Sequence, residues 1–386
     1  MKTTYQFRLY PTKENEKKLF FTLDKCRFTY NKLLEGLNNK KKRNELQHSL
    51  LELKEQFPEL KDVHSKVLQM KNYRLFSNLQ ALSKSKKKGR KVGSLRFKGR
   101  DWFKTFSYNQ TGYEIIKQKT RYDKLKLSKI GEIPFIMHRE IEGKIKQITI
   151  KYYPSGKWYA SIICESKTEV QKTTNEKKVG IDLGIKNFAF DSEGNHFDSP
   201  KSLHNSLDKL AREQRKLAKK KKGSRNREKQ KIKVARVHEK ITNQRDDFLH
   251  KLSRQYITNY GFIAVEDLKV SNMVRNQSLA KSISDVSWSR FIQFLEYKAE
   301  NAGVQVVKVN PIYTSQICSG CGDIVKKSLQ ERTHRCSCGL EIDRDLNAAI
   351  NILNLGLEQS FEPLESGAIP SERKATSDDE SGSQRL

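Results

Sequence analysis

Three carboxylates stand in this 386-residue chain where local structure has no need of them. Asp182 interrupts the apolar run VGIDLGIKNFAF, Glu266 closes FIAVE, and Asp345 falls in the first turn of the helical pattern DRDLNAAINI. A carboxylate in or beside a buried strand is expensive unless it is paired or binds a metal. Taken singly, each has an ordinary explanation: Asp182 as an acceptor in a turn, Glu266 as a strand-end residue, Asp345 as a complement to the helix dipole. Taken together they describe a ligand set. Hard divalent cations such as magnesium want oxygen donors, and two of them about 4 Å apart can hold both the attacking water and the leaving oxygen of a phosphodiester. Asp343 competes with Asp345 for the third place, but two positions apart on a helix they face different ways. Asp343 stands where an N-cap belongs, which leaves Asp345 to point inward.

Four of the six cysteines are crowded into CSGC and CSC: Cys318 with Cys321, and Cys336 with Cys338, fourteen residues (322–335) lying between the pairs. Two close thiolate pairs on a short connector are the sequence form of a tetrahedral structural zinc site, whose closed shell leaves no position for catalysis. The second pair has one intervening residue rather than two, so His334 stands as a substitute ligand, and an iron–sulfur cluster is the alternative metal reading. Cys26 and Cys164 stand alone in apolar surroundings and read as core thiols. No secreted-type disulfide framework follows from this arrangement.

The elements that must position these groups are legible in the hydrophobic period. TTYQFRLYPT alternates and stops at Pro11, predicting an opening strand. Over residues 12–86 the period lengthens, with Leu19, Phe20, Leu23, Cys26, Tyr30 and Leu33 recurring at three to four residues, so this segment is helical. It ends in a stretch where Lys86, Lys87, Lys88, Arg90, Arg96, Lys98 and Arg100 interleave with Phe97, Trp102, Phe103, Phe106 and Tyr108. Aromatic faces among cations suit base stacking and phosphate binding; the same pattern fits a strand with its aromatics in the core. IKQITIKYYPSGKWYASIICE reads as a hairpin. If the opening strand joins that sheet, the helical segment is an insertion into a β-rich domain, because a lone strand would leave its edge unpaired. ESKTEVQKTTNEKK reads as a linker. VGIDLGIKNFAF and FIAVED, apolar on both faces, imply strands buried between helices. Residues 201–260 carry 19 Lys or Arg against 6 Asp or Glu, with apolar residues at helical spacing. They predict two basic helices joined near KKKKGSRN, where Lys220, Lys221, Lys222 and Arg225 cluster. A helix in VSWSRFIQFLEYKAENAG, a strand in VQVVKV and a last helix complete the pattern, and the tail after Leu357 reads as disordered.

Lys and Arg number 76 against 45 Asp and Glu, a formal charge of +31. A folded chain tolerates that self-repulsion most easily when a polyanion offsets it, and nucleic acid is the leading candidate; a solvated, solubilising face is the other reading of the basic helices. No stretch approaches 18 apolar residues, and MKTTYQFRLYPTK lacks an apolar core, so neither a membrane span nor a signal peptide is expected and the protein is placed in the cytoplasm.

The order of the acids, on a first strand, at the end of a central strand and on a C-terminal helix, resembles the RuvC branch of the ribonuclease H-like fold. With FRLYPTKEN, LRFKGRDWFKTFSYNQTGYEI, VGIDLGIKNFA, HEKITNQRDDFLHKLSRQ, VEDLKVSNM, TSQICSGCG and RCSCGLEIDRDLNAAINI, the chain resembles the TnpB family. These are proteins of compact bacterial and archaeal insertion sequences, related to the type V CRISPR effectors. The family's Asp-x-Asn pattern also selects Asp345. The resemblance implies a multidomain α+β protein with a wedge-like β-barrel (1–11 and 92–172) and an inserted helical recognition lobe (12–91). A RuvC-like α/β nuclease domain (176–315 and 341–357), its inserted zinc ribbon (316–340) and a disordered acidic tail (358–386) would follow. It implies an RNA-guided DNA endonuclease, a monomer with its RNA, whose guide RNA pairs with double-stranded target DNA beside a short motif. Asp182 would bridge two Mg2+ ions, Glu266 and Asp345 would complete the shell, and the four cysteines would bind structural Zn2+. The competing expectations are a DDE-like transposase that joins strands, and a guided DNA-binding regulator without nuclease activity.

Overall fold

The computed structural model describes residues 2–165, 173–185, 187–198, 200–268, 287–328 and 331–361. The chain divides into two compact units, Met1–Glu169 with Ser202–Gln244, and Val170–Lys201 with Arg245–Leu386.

In the first unit, β1 (Lys2–Leu9) alternates as expected and buries Tyr5, Phe7 and Leu9. It pairs over its full length with β7 (Trp158–Glu165), from Lys2↔Glu165 to Leu9↔Trp158, and meets β5 (Gly131–Phe135) at Leu9↔Phe135. With β2 (Thr105–Asn109), β3 (Tyr113–Ile116), β4 (Asp123–Leu127) and β6 (Lys144–Tyr152) it forms a seven-stranded antiparallel sheet in the order β2-β6-β7-β1-β5-β4-β3. The opening strand thus lies inside the sheet, with partners on both sides. Between β1 and β2 the chain leaves the sheet for α1 (Lys13–Asn38), α2 (Arg43–Gln56) and α3 (Ser65–Lys87). Thr12 starts α1: its hydroxyl accepts the backbone N–H of Asn15 while the Asn15 side chain reaches back to the Thr12 N–H, satisfying two otherwise orphaned donors. Leu19, Leu23, Cys26 and Tyr30 of α1 and Val67 and Leu75 of α3 share one core with Phe106, Tyr108 and Ile150 of the sheet. Cys26 and Cys164 are both buried in it as free thiols, but Cys26 is not in purely apolar surroundings, since the buried Lys71 amine hydrogen-bonds with it.

Two long helices follow, α4 (Lys201–Ala218) and α5 (Arg225–Asn259). Leu207 and Leu210 of α4 pack on Val237 and Ile241 of α5, leaving the intervening basic residues to solvent.

The second unit is built on β8 (Lys178–Asp182), β9 (Ala189–Asp191), β10 (His196–Phe197), β11 (Phe262–Glu266) and β12 (Gln305–Val309), ordered β10-β9-β8-β11-β12. The three strands β8, β11 and β12 run parallel, so both faces need cover. On one face Val179, Ile181, Ile263 and Val265 pack against Leu249, Leu252 and Tyr256 of α5 and Phe291 and Leu295 of α6 (Trp288–Ala302). On the other, Phe262, Ala264 and Val309 pack against Ile352 of α7 (Arg344–Phe361). A short hairpin, β13 (Thr333–Arg335) with β14 (Glu341–Asp343), leads into α7. That last helix takes in the first four residues of the expected tail; residues 362–386 and half of the expected linker (166–172) lie outside the described residues. No described helix is long and apolar enough to cross a membrane.

Candidate active site and metal centre

Strand alternation decides where the acids go. Because Phe262 and Ala264 face α7, Glu266 at the end of β11 has the same facing by period two. Gly180 of β8 also faces α7, since a Cβ there would lie 2.1 Å from the carbonyl oxygen of Ala349, and Asp182 is its period-two successor. Ile181 is the register partner of Val265, so Asp182 and Glu266 stand side by side on adjacent parallel strands. Asp345 enters from above in the first turn of α7. Asp343 is the cap: its carboxylate accepts the backbone N–H groups of Asp345 at 2.7 Å and Leu346 at 3.4 Å.

The three acids feel one another. Burial pushes Asp182 well above the usual carboxylate range, and the charges of Glu266 and Asp345 push it further, against a smaller opposing pull from the Arg344 guanidinium. Burial likewise raises Glu266, whose carboxylate accepts a 2.7 Å hydrogen bond from the Thr314 hydroxyl that works the other way. The Arg332 guanidinium lies 3.9 Å from the Asp345 carboxylate. Buried like-charged oxygens that resist ionising are the electrostatic condition a hard divalent cation relieves, so the donor set fits such an ion. The carboxylate oxygens do not close to the spacing of the thiols described below; among the described residues those thiols are the group whose ligand atoms all lie within 4.8 Å of one another.

Behind the acids is a polar brace that the sequence reading missed. Asn351 donates to the carbonyl oxygens of Thr314 at 2.8 Å and Ile317 at 2.7 Å. Asn347 donates to Ile317 at 2.7 Å and accepts the Ser319 N–H at 2.9 Å. Both asparagines are buried, one turn apart on α7, the helix that carries Asp345. The same helix therefore presents one acid directly and, through Thr314, orients a second.

The four cysteines converge with crossed pairing: Cys318 and Cys338 sulfurs are 3.7 Å apart and Cys321 and Cys336 sulfurs 3.5 Å apart. A tetrahedron with metal–sulfur bonds of about 2.3 Å has edges of about 3.8 Å, so the sulfurs already stand at the spacing of a zinc shell. Gly322 (φ 84°) and Gly339 (φ 92°) follow the second cysteine of each pair, and their left-handed backbone turns each knuckle back, including the contracted one. His334 is not in the cluster; it is buried on β13 and its Nδ1 meets the Lys327 amine. The Cys338 backbone N–H and the neighbouring sulfurs hold Cys336 down at about 7, so one thiolate forms near neutrality. Cys321, despite the Asp323 backbone N–H that favours its thiolate, donates to Cys336 and is pushed up to about 12.

The basic residues separate by location. Lys86 and Lys87 end α3, and Lys88, Arg90, Arg96, Arg100 and Trp102 are exposed on the connection to β2; Lys98 is half-buried, its backbone held by Asn31. The interleaved aromatics divide: Phe97 and Trp102 are exposed, with the Lys98 amine over the Trp102 ring, whereas Phe103, Phe106 and Tyr108 belong to the core. Lys220, Lys221, Lys222 and Arg225 are exposed between and at the start of the two basic helices.

Residues 161–277 match the family model described as a probable transposase (OrfB_IS605), residues 288–352 the Cas12f1-like TNB domain, and residues 1–45 a helix-turn-helix domain (HTH_OrfB_IS605). The chain is 33% identical over 383 residues to a protein of Streptomyces pristinaespiralis named "Putative RNA-guided DNA endonuclease", covering 93% of this chain and 90% of that one. It is 36% identical over 278 residues to "Putative RNA-guided DNA endonuclease InsQ" of Escherichia coli, covering 68% of each. The solved structure titled "Cryo-EM structure of the Cas12f1-sgRNA-target DNA complex" is similar over 92% of this chain and 99% of that chain, with a TM-score of 0.61 at 14% identity, a shared fold.

Proposed function

The chain belongs to the OrfB family of IS605-type insertion-sequence proteins, and from that premise we propose that it is an RNA-guided DNA endonuclease whose acids Asp182, Glu266 and Asp345 cut phosphodiesters. The observation that carries the chemistry is the facing of three carboxylates onto one side of a parallel sheet, where two of them raise the pKa of the third. Relatives named as RNA-guided endonucleases support the guide RNA and DNA partners.

In this reading Asp182 is the central ligand, with Glu266 and Asp345 on either side, for Mg2+ or a similar cation. Such ions, when bound, stabilise the charge that develops on the phosphoryl oxygens. The protein's own part is positional. Thr314 fixes the Glu266 carboxylate, the Asp343 cap starts α7 in the register that turns Asp345 inward, and Arg344 and Arg332 offset negative charge at the rim. Water is the nucleophile, and no protein side chain forms a bond to DNA. The cysteine cluster would hold Zn2+ structurally, at the entrance to α7. The division into a wedge-like barrel, helical lobe, nuclease domain and ribbon at the boundaries given above, and a guide–target duplex along the basic helices, belong to the same proposal.

The test is to sequence the RNA that copurifies with the protein, replace its guide segment, and assay cleavage of matched DNA. Matched DNA should be cut and Asp182→Ala should lower the rate about a thousandfold or more while RNA binding persists, because several kcal/mol of transition-state stabilisation is lost. Strand joining by RNA-free protein would replace this reading with transposition; unchanged cleavage by Asp182→Ala would remove Asp182 from the site.

A further inference from the structure

Six non-glycine residues of the described chain have left-handed backbone: Lys40, Asp101, Gln110, Lys129, Ser287 and Tyr313. Five are polar residues. Tyr313 (φ 63°) is the aromatic exception, and a bulky side chain in this region is a true outlier that persists only when its surroundings impose it. What imposes it is visible: the Tyr313 carbonyl accepts the N–H groups of both Gln316 and Ile317 at 2.9 Å, and the Asn310 side chain accepts the N–H of Ile312 at 3.2 Å. The turn so formed is two-sided. Thr314 is buried with its hydroxyl on Glu266, while its neighbours Tyr313 and Ile312 are 55% and 60% exposed. Ile185, three residues beyond Asp182, is 42% exposed. The carboxylates are thus bordered on two chain segments by three of the eleven large apolar side chains exposed among the described residues. Phosphates do not call for such groups; the faces of unpaired bases do.

We propose that Tyr313 is a stacking platform for an unpaired base of the DNA strand whose phosphate lies at the carboxylates. The inference rests on the nuclease reading above and adds a binding residue to it. Its geometry is direct: the Tyr313 Cα is about 3.8 Å from that of Thr314, the residue that touches Glu266. The left-handed conformation turns the ring outward while the next side chain turns in, which an ordinary extended backbone would also do but without the tight turn that Asn351 anchors.

The test uses full-length protein with its RNA, carrying Asp182→Ala to block cleavage, and single-stranded DNA with one 2-aminopurine. In the Tyr313 background the probe should be quenched at one position along the strand. Tyr313→Phe should preserve the quench, and Tyr313→Ala should abolish it and weaken binding about fivefold to a hundredfold, the range for loss of one stacked base. Tyr313→Gly is the discriminating variant: it relieves the backbone, so it should melt at or above wild type yet lose the quench as Ala does. With Asp182 restored, Ala and Gly should cut more slowly by a similar factor. Thr314→Val, which removes the hydroxyl from Glu266, should slow cleavage with the quench intact. Quenching independent of residue 313, quenching of an RNA probe in place of DNA, or Phe behaving like Ala would each overturn the proposal. Because the quench is read at equilibrium, it fails or succeeds separately from whether wild-type protein cleaves.

Discussion

Burial and the neighbouring acids make a charge on Asp182 costly to the fold. In metal-free protein both Asp182 and Glu266 titrate above the ordinary carboxylate range, so between the unfolded and folded values the native chain binds more protons than the unfolded one. In that interval stability falls as pH rises, the cost of burying the charges and of their repulsion being absent below it and complete above it. Asp182→Asn should therefore raise the melting temperature in EDTA at neutral pH, by about 1–2 °C for each kcal/mol of that cost removed. The gap to wild type should close as the solution is acidified, and an unchanged gap on calorimetry would show that a charged Asp182 costs the fold nothing. The three acids and four thiols were legible from residue type and position because each violated a local pattern or repeated at ligand spacing. Thr314 was not: a threonine in a loop violates nothing, and its bond to Glu266 joins positions 48 apart. Asn347 and Asn351 were hidden for the same reason, as polar residues on a helix whose buried side becomes polar only where the ribbon docks. His334, the substitute ligand the sequence left open, stays out of the cluster, and Gly339 lets a pair with one intervening residue close the turn.

At the scale of elements, apolar runs on both faces correctly implied covered parallel strands, and the alternation in TTYQFRLYPT gave β1. Close approach of elements was invisible. Gly180 reads as a break in a strand, but its missing side chain is what lets α7 rest on β8, with the Ala349 carbonyl where a Cβ would be. Gly180→Ala should push α7 away, lower stability by roughly 1–3 kcal/mol in chemical denaturation, and depress cleavage more than DNA binding because Asp345 moves with the helix. On the proposed reading the cysteine cluster depends on a bound zinc ion in the same way. Cys321→Ser should reduce bound zinc from about one ion per chain toward none by atomic absorption and lower the melting temperature of the zinc-loaded protein. Zinc affinity of the unaltered chain should weaken as pH drops through about 7, where Cys336 takes up its proton. Stability indifferent to both would contradict a structural ion.

Over the whole molecule the positive excess is 31, the basic side chains of the described residues are mostly exposed, and the loop Lys220–Arg225 holds four of them on an apolar-backed pair of helices. Changing Lys220, Lys221, Lys222 and Arg225 together to alanine should flatten the log–log salt dependence of nucleic-acid binding by up to about 4, one counterion per lost phosphate contact. Anisotropy titrations across ionic strength measure it, and an unaltered slope would return this loop to solvent. Net charge was legible from composition, whereas the split of residues 201–260 between two units was not, because helical periodicity continues unbroken through Gln244. The order of the acids along the polymer has a last effect, on timing. Asp345 leaves the ribosome 163 residues after Asp182, roughly ten to thirty seconds at ordinary elongation rates, and it rides on the helix that completes the sheet's cover. A nascent chain stopped before α7 holds two of the three acids and a sheet with one face uncovered, so on the proposed nuclease reading no DNA could be cut until that helix has been made and docked.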